Sequence, residues 1–406
     1  MAASPIKIDT ATAKRLIFES QGLSKGYAVS PDKTGTAQVI EQLGYVQIDT
    51  IAVIERAHHH TLWSRQPDYR PDMLDALQAR DRRVFEAWTH AASYVPMHSY
   101  RYHLPQMRAF ATHARNRAWL KQNQQVVSEV LERIKQEGPL GSANFTTSGK
   151  RGPWWDWKPA KQALEMLVSM GELMVTARRN FQRIYDLTER VLPADIDATE
   201  PDPIELGRFI VKSILRAQGV ASVSEMRWRL CSRREIENAV SDMSSAGEIV
   251  PVEIDEIPDE LYYTLADSAA KLETQPLSTP EVHILSPFDN VVIDRRRLAR
   301  FFHYDYKIEC YTPATQRKYG YFCLPILWGE NFVGRLDAKA DRKARTFIIR
   351  ALILEPDFQA DEDFLSDFAT KLWIFASFNG CDDVTIIATT PESLRTLLTA
   401  TLKRCA

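Results

Sequence analysis

One supersecondary pattern occurs twice in the middle of this chain, and it limits the fold more than any other feature. In the first copy, apolar residues at helical spacing (Val126, Val127, Val130, Leu131, Ile134) predict a helix over 124–136, ended by Gly138-Pro139. A second helix is expected after Pro159, through Ala163, Leu164, Leu167 and Met170, stopping at Gly171. Strands over 172–177 and 181–187 follow, joined at Arg178-Arg179-Asn180. The second copy repeats the order, with helices over 204–218 and 232–245, a segment over 222–230 between them and a hairpin over 248–265. Ser169-Met170-Gly171-Glu172-Leu173 and Ser245-Ala246-Gly247-Glu248-Ile249 occupy the same point in each. Helix–turn–helix followed by a hairpin is the layout of a winged helix, and two copies imply a tandem scaffold. Glycine is common at helix ends, so chance similarity of two helix caps fits the five-residue match as well.

The flanking regions complete the architecture. Helices over 10–21, capped by Asp9 or Thr10, and over 36–43, ended by Gly44, fit a third, degenerate unit of the same kind. Residues 273–281 read as a linker. Beyond it, strands are expected over 282–285, 304–311, 319–327, 332–336, 347–354 and 384–387, with a helix over 361–377. The segment 312–318 reads as a hairpin tip carrying two cations. The expected fold is α+β: tandem winged-helix units followed by a C-terminal β-rich α+β domain. The expected division is 1–120, 121–200 with a basic wing, 201–272, and 282–406. A chain of 406 residues has room for that many compact units.

Charge separates the two copies. The first wing carries Arg178, Arg179 and Arg183; the second carries Glu253, Asp255, Glu256, Asp259 and Glu260. A phosphate backbone is attracted by the first and repelled by the second. The insertion at 146–158 interleaves Lys150, Arg151 and Lys158 with Trp154, Trp155 and Trp157, which suits phosphate contact plus base stacking. Tryptophans also fill cores, so one or two of the three are expected to pack inside. No acidic residue occurs from 87 to 128, where Arg101, Arg108, Arg115, Arg117, Lys121 and four histidines lie. That stretch is either a polyanion-facing surface or a solvated face whose partners come from elsewhere in the fold. The net charge of −2, from 51 basic and 53 acidic residues, argues against a general nucleic-acid coat.

Five scattered cysteines without a CxxC pair argue against a disulfide framework or a zinc site. No stretch approaches the ~20 apolar residues of a membrane span. The first seven residues show no secretory pattern, so the expectation is a cytoplasmic chain with no membrane partner.

One short segment carries chemistry. Tyr45-Val46-Gln47-Ile48-Asp49-Thr50 reads as a strand on which Gln47 and Asp49, two residues apart, share a face. An amide and a carboxylate so placed can hold a water and stabilise a cation. A solvent-facing polar pair on an ordinary strand fits the same spacing.

Gln47-Ile48-Asp49-Thr50-Ile51 followed by Leu62-Trp63-Ser64-Arg65 resembles the YcaQ/AlkZ family of winged-helix DNA glycosylases. The likeness continues through Trp154-Trp155-Asp156-Trp157-Lys158-Pro159 and the stretch from Arg178 to Leu187. Leu285-Ser286-Pro287-Phe288-Asp289, Glu309-Cys310-Tyr311-Thr312-Pro313-Ala314, Tyr319-Gly320-Tyr321-Phe322 and the stretch from Val333 to Lys339 extend it, in one order over nearly the whole chain. The resemblance implies a monofunctional glycosylase that removes cationic N7-alkylated purines and unhooks interstrand crosslinks. It implies Gln47 and Asp49 as the catalytic pair, in the Gln-x-Asp branch associated with broad crosslink unhooking. His58-His59-His60 departs from the family pattern, and no catalytic role is carried onto it.

In that reading Asp49 stabilises an oxocarbenium-like sugar and accepts a proton from water, while Gln47 orients the water. A crosslinked base cannot swing fully out of the duplex, so an open groove is expected in place of a flipping pocket. The DNA contacts assigned are Arg65, Trp154, Trp155, Lys158, Arg178, Arg179 and Arg183. Gln316, Arg317 and Lys318 join them at a tip that enters the minor groove. The expected partner is double-stranded DNA carrying alkylated or crosslinked purines, met by a monomer. No metal or organic cofactor is required by the chemistry. A non-catalytic winged-helix regulator, or a hydrolase of another substrate pairing Asp49 with a histidine, remains compatible with the residues alone.

Overall fold

The computed structural model describes residues 4–145, 159–226, 231–271 and 280–405. Each winged-helix-like unit is built by the residues that start and stop its helices. Asp32 caps the helix Lys33–Leu43 by accepting from the Thr34 N–H at 2.8 Å. Gly44 ends that helix in the left-handed region, φ 74°, where a side chain is disfavoured. The reversal there sends the chain into strand Val46–Gln47, at one edge of a three-stranded antiparallel sheet. Ala92–Pro96 is its centre and Val84–Trp88 its other edge.

The second unit holds helices Gln124–Glu137 and Pro159–Met170 over the hairpin Leu173–Arg179 and Gln182–Leu187. Val130, Ile134, Leu164, Leu167, Val175 and Tyr185 form its core. The third holds Pro203–Gln218 and Arg233–Ser245 over Ile249–Ile254 and Tyr262–Leu265. Ser232 and Glu235 form a reciprocal capping box at its second helix. The N-terminal segment, whose sequence position places it with the first unit, packs elsewhere. Strand Ile6–Ile8 pairs in parallel with Ile249–Ile254, and helix Thr10–Ser20 buries Leu16, Ile17 and Phe18 among residues of the third unit and the C-terminal domain.

The C-terminal domain is a mixed sheet in the order Val282–Ile284, Cys323–Trp328, Asn331–Asp341, Thr346–Leu354, Asp383–Ile386. Helices Glu362–Phe378 and Ser393–Cys405 cover it; the second has no counterpart among the sequence-based expectations. The first unit and this domain share one core, in which Trp63 meets Phe375 and Phe378 at ring separations of 5.1 Å each. Two strand expectations fail there. Over 304–311 Tyr304 and Tyr306 do alternate inward, but each spends its hydroxyl on a neighbouring strand carbonyl and the segment joins no ladder. The strand expected from 319 begins at Cys323, because the Glu309 carboxylate takes the N–H groups of Lys318, Tyr319 and Gly320 at 2.8, 2.7 and 3.1 Å. The segment 312–318 is therefore a closed loop with a 3-10 turn, Ala314–Gln316, and not the tip of a β-hairpin. Among the described residues no helix is long and apolar enough to cross a membrane.

Candidate active site

Gln47 ends a two-residue strand. Its register partner is Ser93, and the last ladder bond runs from the Ile48 N–H to the Ala92 carbonyl at 2.8 Å. Asp49 lies beyond the strand, so the alternation of a pleated strand does not set its direction as the sequence suggested. Instead its Oδ1 accepts the Ile51 N–H at 2.7 Å, a local side-chain turn that aspartate favours over a ladder. Gln47 is buried and Asp49 is half-buried. Gln47 Oε1 lies 2.8 Å from Nε2 of His90, on the turn between Val84–Trp88 and Ala92–Pro96. His90 also sets its ring against the edge of Tyr45, with centroids 5.1 Å apart. Sequence reading missed this histidine, because the hairpin that returns residue 90 to residue 47 has no local signal at either position.

Burial raises the Asp49 carboxyl above its usual value, opposed by the Ile51 and Thr50 N–H groups and by the charge of Arg56. A raised carboxyl is a stronger base once ionised, which suits proton abstraction from water. The C-terminal domain also approaches Asp49. Cys310 and Tyr311 are raised first by burial and also by the field of Asp49, which places both near that carboxylate. Tyr311 is nonetheless 79% exposed, on the loop that Glu309 closes. Burial by itself raises the Glu309 carboxyl, but the three N–H groups overcome this and hold it below the usual range.

The first wing joins this region from the side. Its tip is a tight turn with Asn180 at φ 48° and Phe181 at φ 65°, a conformation unfavourable for a bulky residue. The Phe181 ring meets two guanidinium groups, Arg56 at 4.2 Å and Arg178 at 4.4 Å from its centroid, and stacks with His58 at 5.8 Å. His58, His59 and His60 are held neutral: burial takes His58 well below 6.5, and His59 and His60 to about 4. His60 bonds through Nε2 to the Ile284 carbonyl at 2.8 Å, which ties the first unit to the C-terminal sheet.

Several assigned DNA contacts require correction. Arg65 is buried against Asp289, with its side chain 1% exposed, and cannot reach a phosphate. Arg178 and Arg183 both turn inward to the buried Glu86 carboxylate, at 2.6 and 2.9 Å. The attraction the sequence reserved for phosphate is met by a carboxylate 92 and 97 residues away. Arg179 is exposed, as are Gln316 and Lys318; Arg317 is half-buried, with its Nε on the Thr312 carbonyl at 2.8 Å. Trp154, Trp155 and Lys158 lie outside the described residues. In the acid-free stretch Arg101 pairs with Glu205 and Asp197, and Arg108 with Glu200. Arg115, Arg117 and Lys121 are exposed, and among the described residues they have no carboxylate partner.

A cavity of about 810 Å³ adjoins the site, lined among others by Tyr45, Trp88, His90, Phe209, Arg216 and Arg295. Among the described residues no group of three or more histidine, cysteine or acidic side chains is placed to hold a metal ion.

Comparison with known proteins adds two findings. The sequence model of the family described as DNA glycosylase AlkZ-like matches residues 40–371. The fold is similar to Streptomyces sahachiroi DNA glycosylase AlkZ, with a TM-score of 0.65 and 16% identity, over 94% of this chain and 100% of that one. The family match spans Gln47, Asp49, Arg65 and Asp289, and the chain belongs to the AlkZ-like DNA glycosylases.

Proposed function

We propose that this DNA glycosylase hydrolyses the N-glycosidic bond of cationic N7-alkylated purines in double-stranded DNA and unhooks crosslinks formed through such bases. The observation that carries the reading is the half-buried carboxylate of Asp49, turned by the Ile51 N–H two residues beyond the buried amide of Gln47. A neutral leaving base needs a proton donor, and His58, His59 and His60 are held deprotonated by burial. An N7-alkylated purine needs none, because it departs as a neutral base. In the reaction the water oxygen bonds to C1′ as the C1′–N bond breaks. The bonding pair neutralises the cationic base, and the water proton passes to Asp49. Gln47 orients the water, and the Asp49 charge stabilises the sugar as positive charge develops. Exposed cations at Arg115, Arg117, Lys121 and Arg179 support a phosphate-facing surface. The protein acts on the duplex as a monomer in this reading.

The test is a panel of duplexes, each with one lesion, resolved on denaturing gels before and after alkali. N7-methylguanine should be released to an abasic site that breaks only with alkali, and an N7–N7 crosslink should be unhooked. Efficient release of uracil, or strand scission before alkali, contradicts this mechanism.

A further inference from the structure

We propose that His90 is a positioning residue that fixes which end of the Gln47 amide faces the reaction. The inference rests on the reading of Gln47 as part of the catalytic pair. An amide has an acceptor end and a donor end, and an unrestrained glutamine offers either. Gln47 Oε1 is an acceptor only, so at 2.8 Å the His90 Nε2 must carry the proton and donate. The oxygen is thereby turned toward His90 and the amide nitrogen away from it. Among the described residues that nitrogen has no hydrogen-bond partner. It therefore presents N–H to the nucleophilic water, holding the water by its oxygen. The carboxylate of Asp49 is left as the group that takes the proton. A free amide would present its carbonyl part of the time and compete with Asp49 for the same proton.

The surroundings of His90 hold it for this task. The turn that bears it is tied by the Thr89 and Ser93 hydroxyls at 2.9 Å, and by the Thr89 N–H on the Ala91 carbonyl at 2.9 Å. Tyr45, two residues before Gln47, meets the imidazole edge to face at 68°. Ser93 is the register partner of Gln47, so turn and strand cannot slip relative to one another without breaking the ladder.

Two replacements separate a donor role from a packing role. His90→Phe keeps an aromatic ring against Tyr45 and removes the N–H; His90→Gln removes the ring and restores a donor. Single-turnover excision of N7-methylguanine should slow about tenfold in His90→Phe, the worth of one hydrogen bond, and recover most of that loss in His90→Gln. Adding His90→Phe to Gln47→Ala should cost nothing more, since His90 acts through Gln47. Recovery by phenylalanine but not glutamine, or full additivity with Gln47→Ala, overturns the proposal. An unchanged rate in Gln47→Ala instead removes the catalytic reading of Gln47 itself. Ring nitrogen NMR of the DNA-free protein tests the bond without activity: Nε2 of His90 should be protonated and should shift on Gln47→Ala. A bare Nε2, or no shift, overturns it.

Discussion

Arg65 and Asp289 meet through two hydrogen bonds, Nη1 to Oδ2 at 2.7 Å and Nη2 to Oδ1 at 2.9 Å, with side chains 1% and 0% exposed. They stand 224 residues apart, in two of the sequence blocks that carry the family likeness. The remaining guanidinium donors go to the Gln21 and Thr61 carbonyls, so the charge is fully enclosed. This pair bolts the end of the helix Ala57–Trp63 to the loop that follows strand Val282–Ile284 of the C-terminal sheet.

Removing one partner leaves the other charged and buried. Asp289→Asn should destabilise the protein by about 3–5 kcal/mol, the cost of breaking a buried ion pair from one side. Urea unfolding of the full chain reads this as a lower midpoint. An unchanged midpoint contradicts the enclosure of Arg65.

The two halves of the first wing's charge should behave differently. Glu86→Gln leaves Arg178 without its carboxylate in a half-buried site, while Arg183 keeps only Glu165 at 2.6 Å. Thermal stability should fall, with little change in the salt dependence of DNA binding. Arg179→Glu, on an exposed cation, should leave stability within about 0.5 kcal/mol. It should flatten the plot of log K against log salt by roughly 0.9 for each phosphate the protein no longer neutralises. Equal effects on stability from both substitutions would contradict the inward orientation of Arg178 and Arg183.

These contrasts mark where the sequence is readable. Helix ends are signalled locally by glycine, with Gly44 after one helix and Gly171 and Gly247 before the two wings, whereas the start expected at 36 falls three residues inside the helix that Asp32 caps. The candidate site is visible because an amide and a carboxylate in an apolar stretch stand out within six residues. Partners are not visible where they come from distant chain, as Glu86 does for Arg178 and Asp289 for Arg65. Ile6–Ile8 is three residues long, too short for a period, and its place beside Ile249–Ile254 is a tertiary choice. Tyr304 and Tyr306 show the reverse case, a true alternation that joins no ladder: their hydroxyls go to strand carbonyls, and Glu309 takes the N–H groups of Lys318 and Tyr319 in the expected partner strand.

Acid should unfold this protein before it titrates ordinary carboxylates. Burial lowers His60 and His103 from 6.5 to about 4, and His283 to about 3, so the native state keeps them neutral. Their contribution is fully present above pH 6.5, the unfolded value, and is lost as pH falls toward the folded values. Between about pH 7 and about pH 5 each should remove on the order of 1–2 kcal/mol. Chemical denaturation at a series of pH values should show stability declining from just below about pH 6.5. A flat profile down to about pH 5 contradicts their burial as neutral imidazoles.

The last prediction concerns Asp49, whose carboxyl is raised by burial above the usual 3.8. In the proposed mechanism the group serves as base and as charge stabiliser only when ionised. Excision must therefore fall as pH drops through its folded value, at a higher pH than an exposed aspartate would give. Asp49→Asn keeps the shape and can still accept the Ile51 N–H, so the local turn should survive. It removes the charge that faces the sugar cation and the acceptor of the water proton. Single-turnover excision of N7-methylguanine should fall by roughly 10²–10⁴-fold, with the affinity for undamaged duplex little changed. The acid limb of the pH–rate profile should also disappear, measured above the pH at which the buried histidines begin to unfold the chain. Arg56→Gln supplies the matching control. Losing the cation that favours the Asp49 carboxylate should move the acid limb to higher pH while leaving the rate on its alkaline side intact. An Asp49→Asn enzyme that keeps a near-wild-type rate removes Asp49 from the chemistry; one that is slow but retains the acid limb assigns that limb to another group.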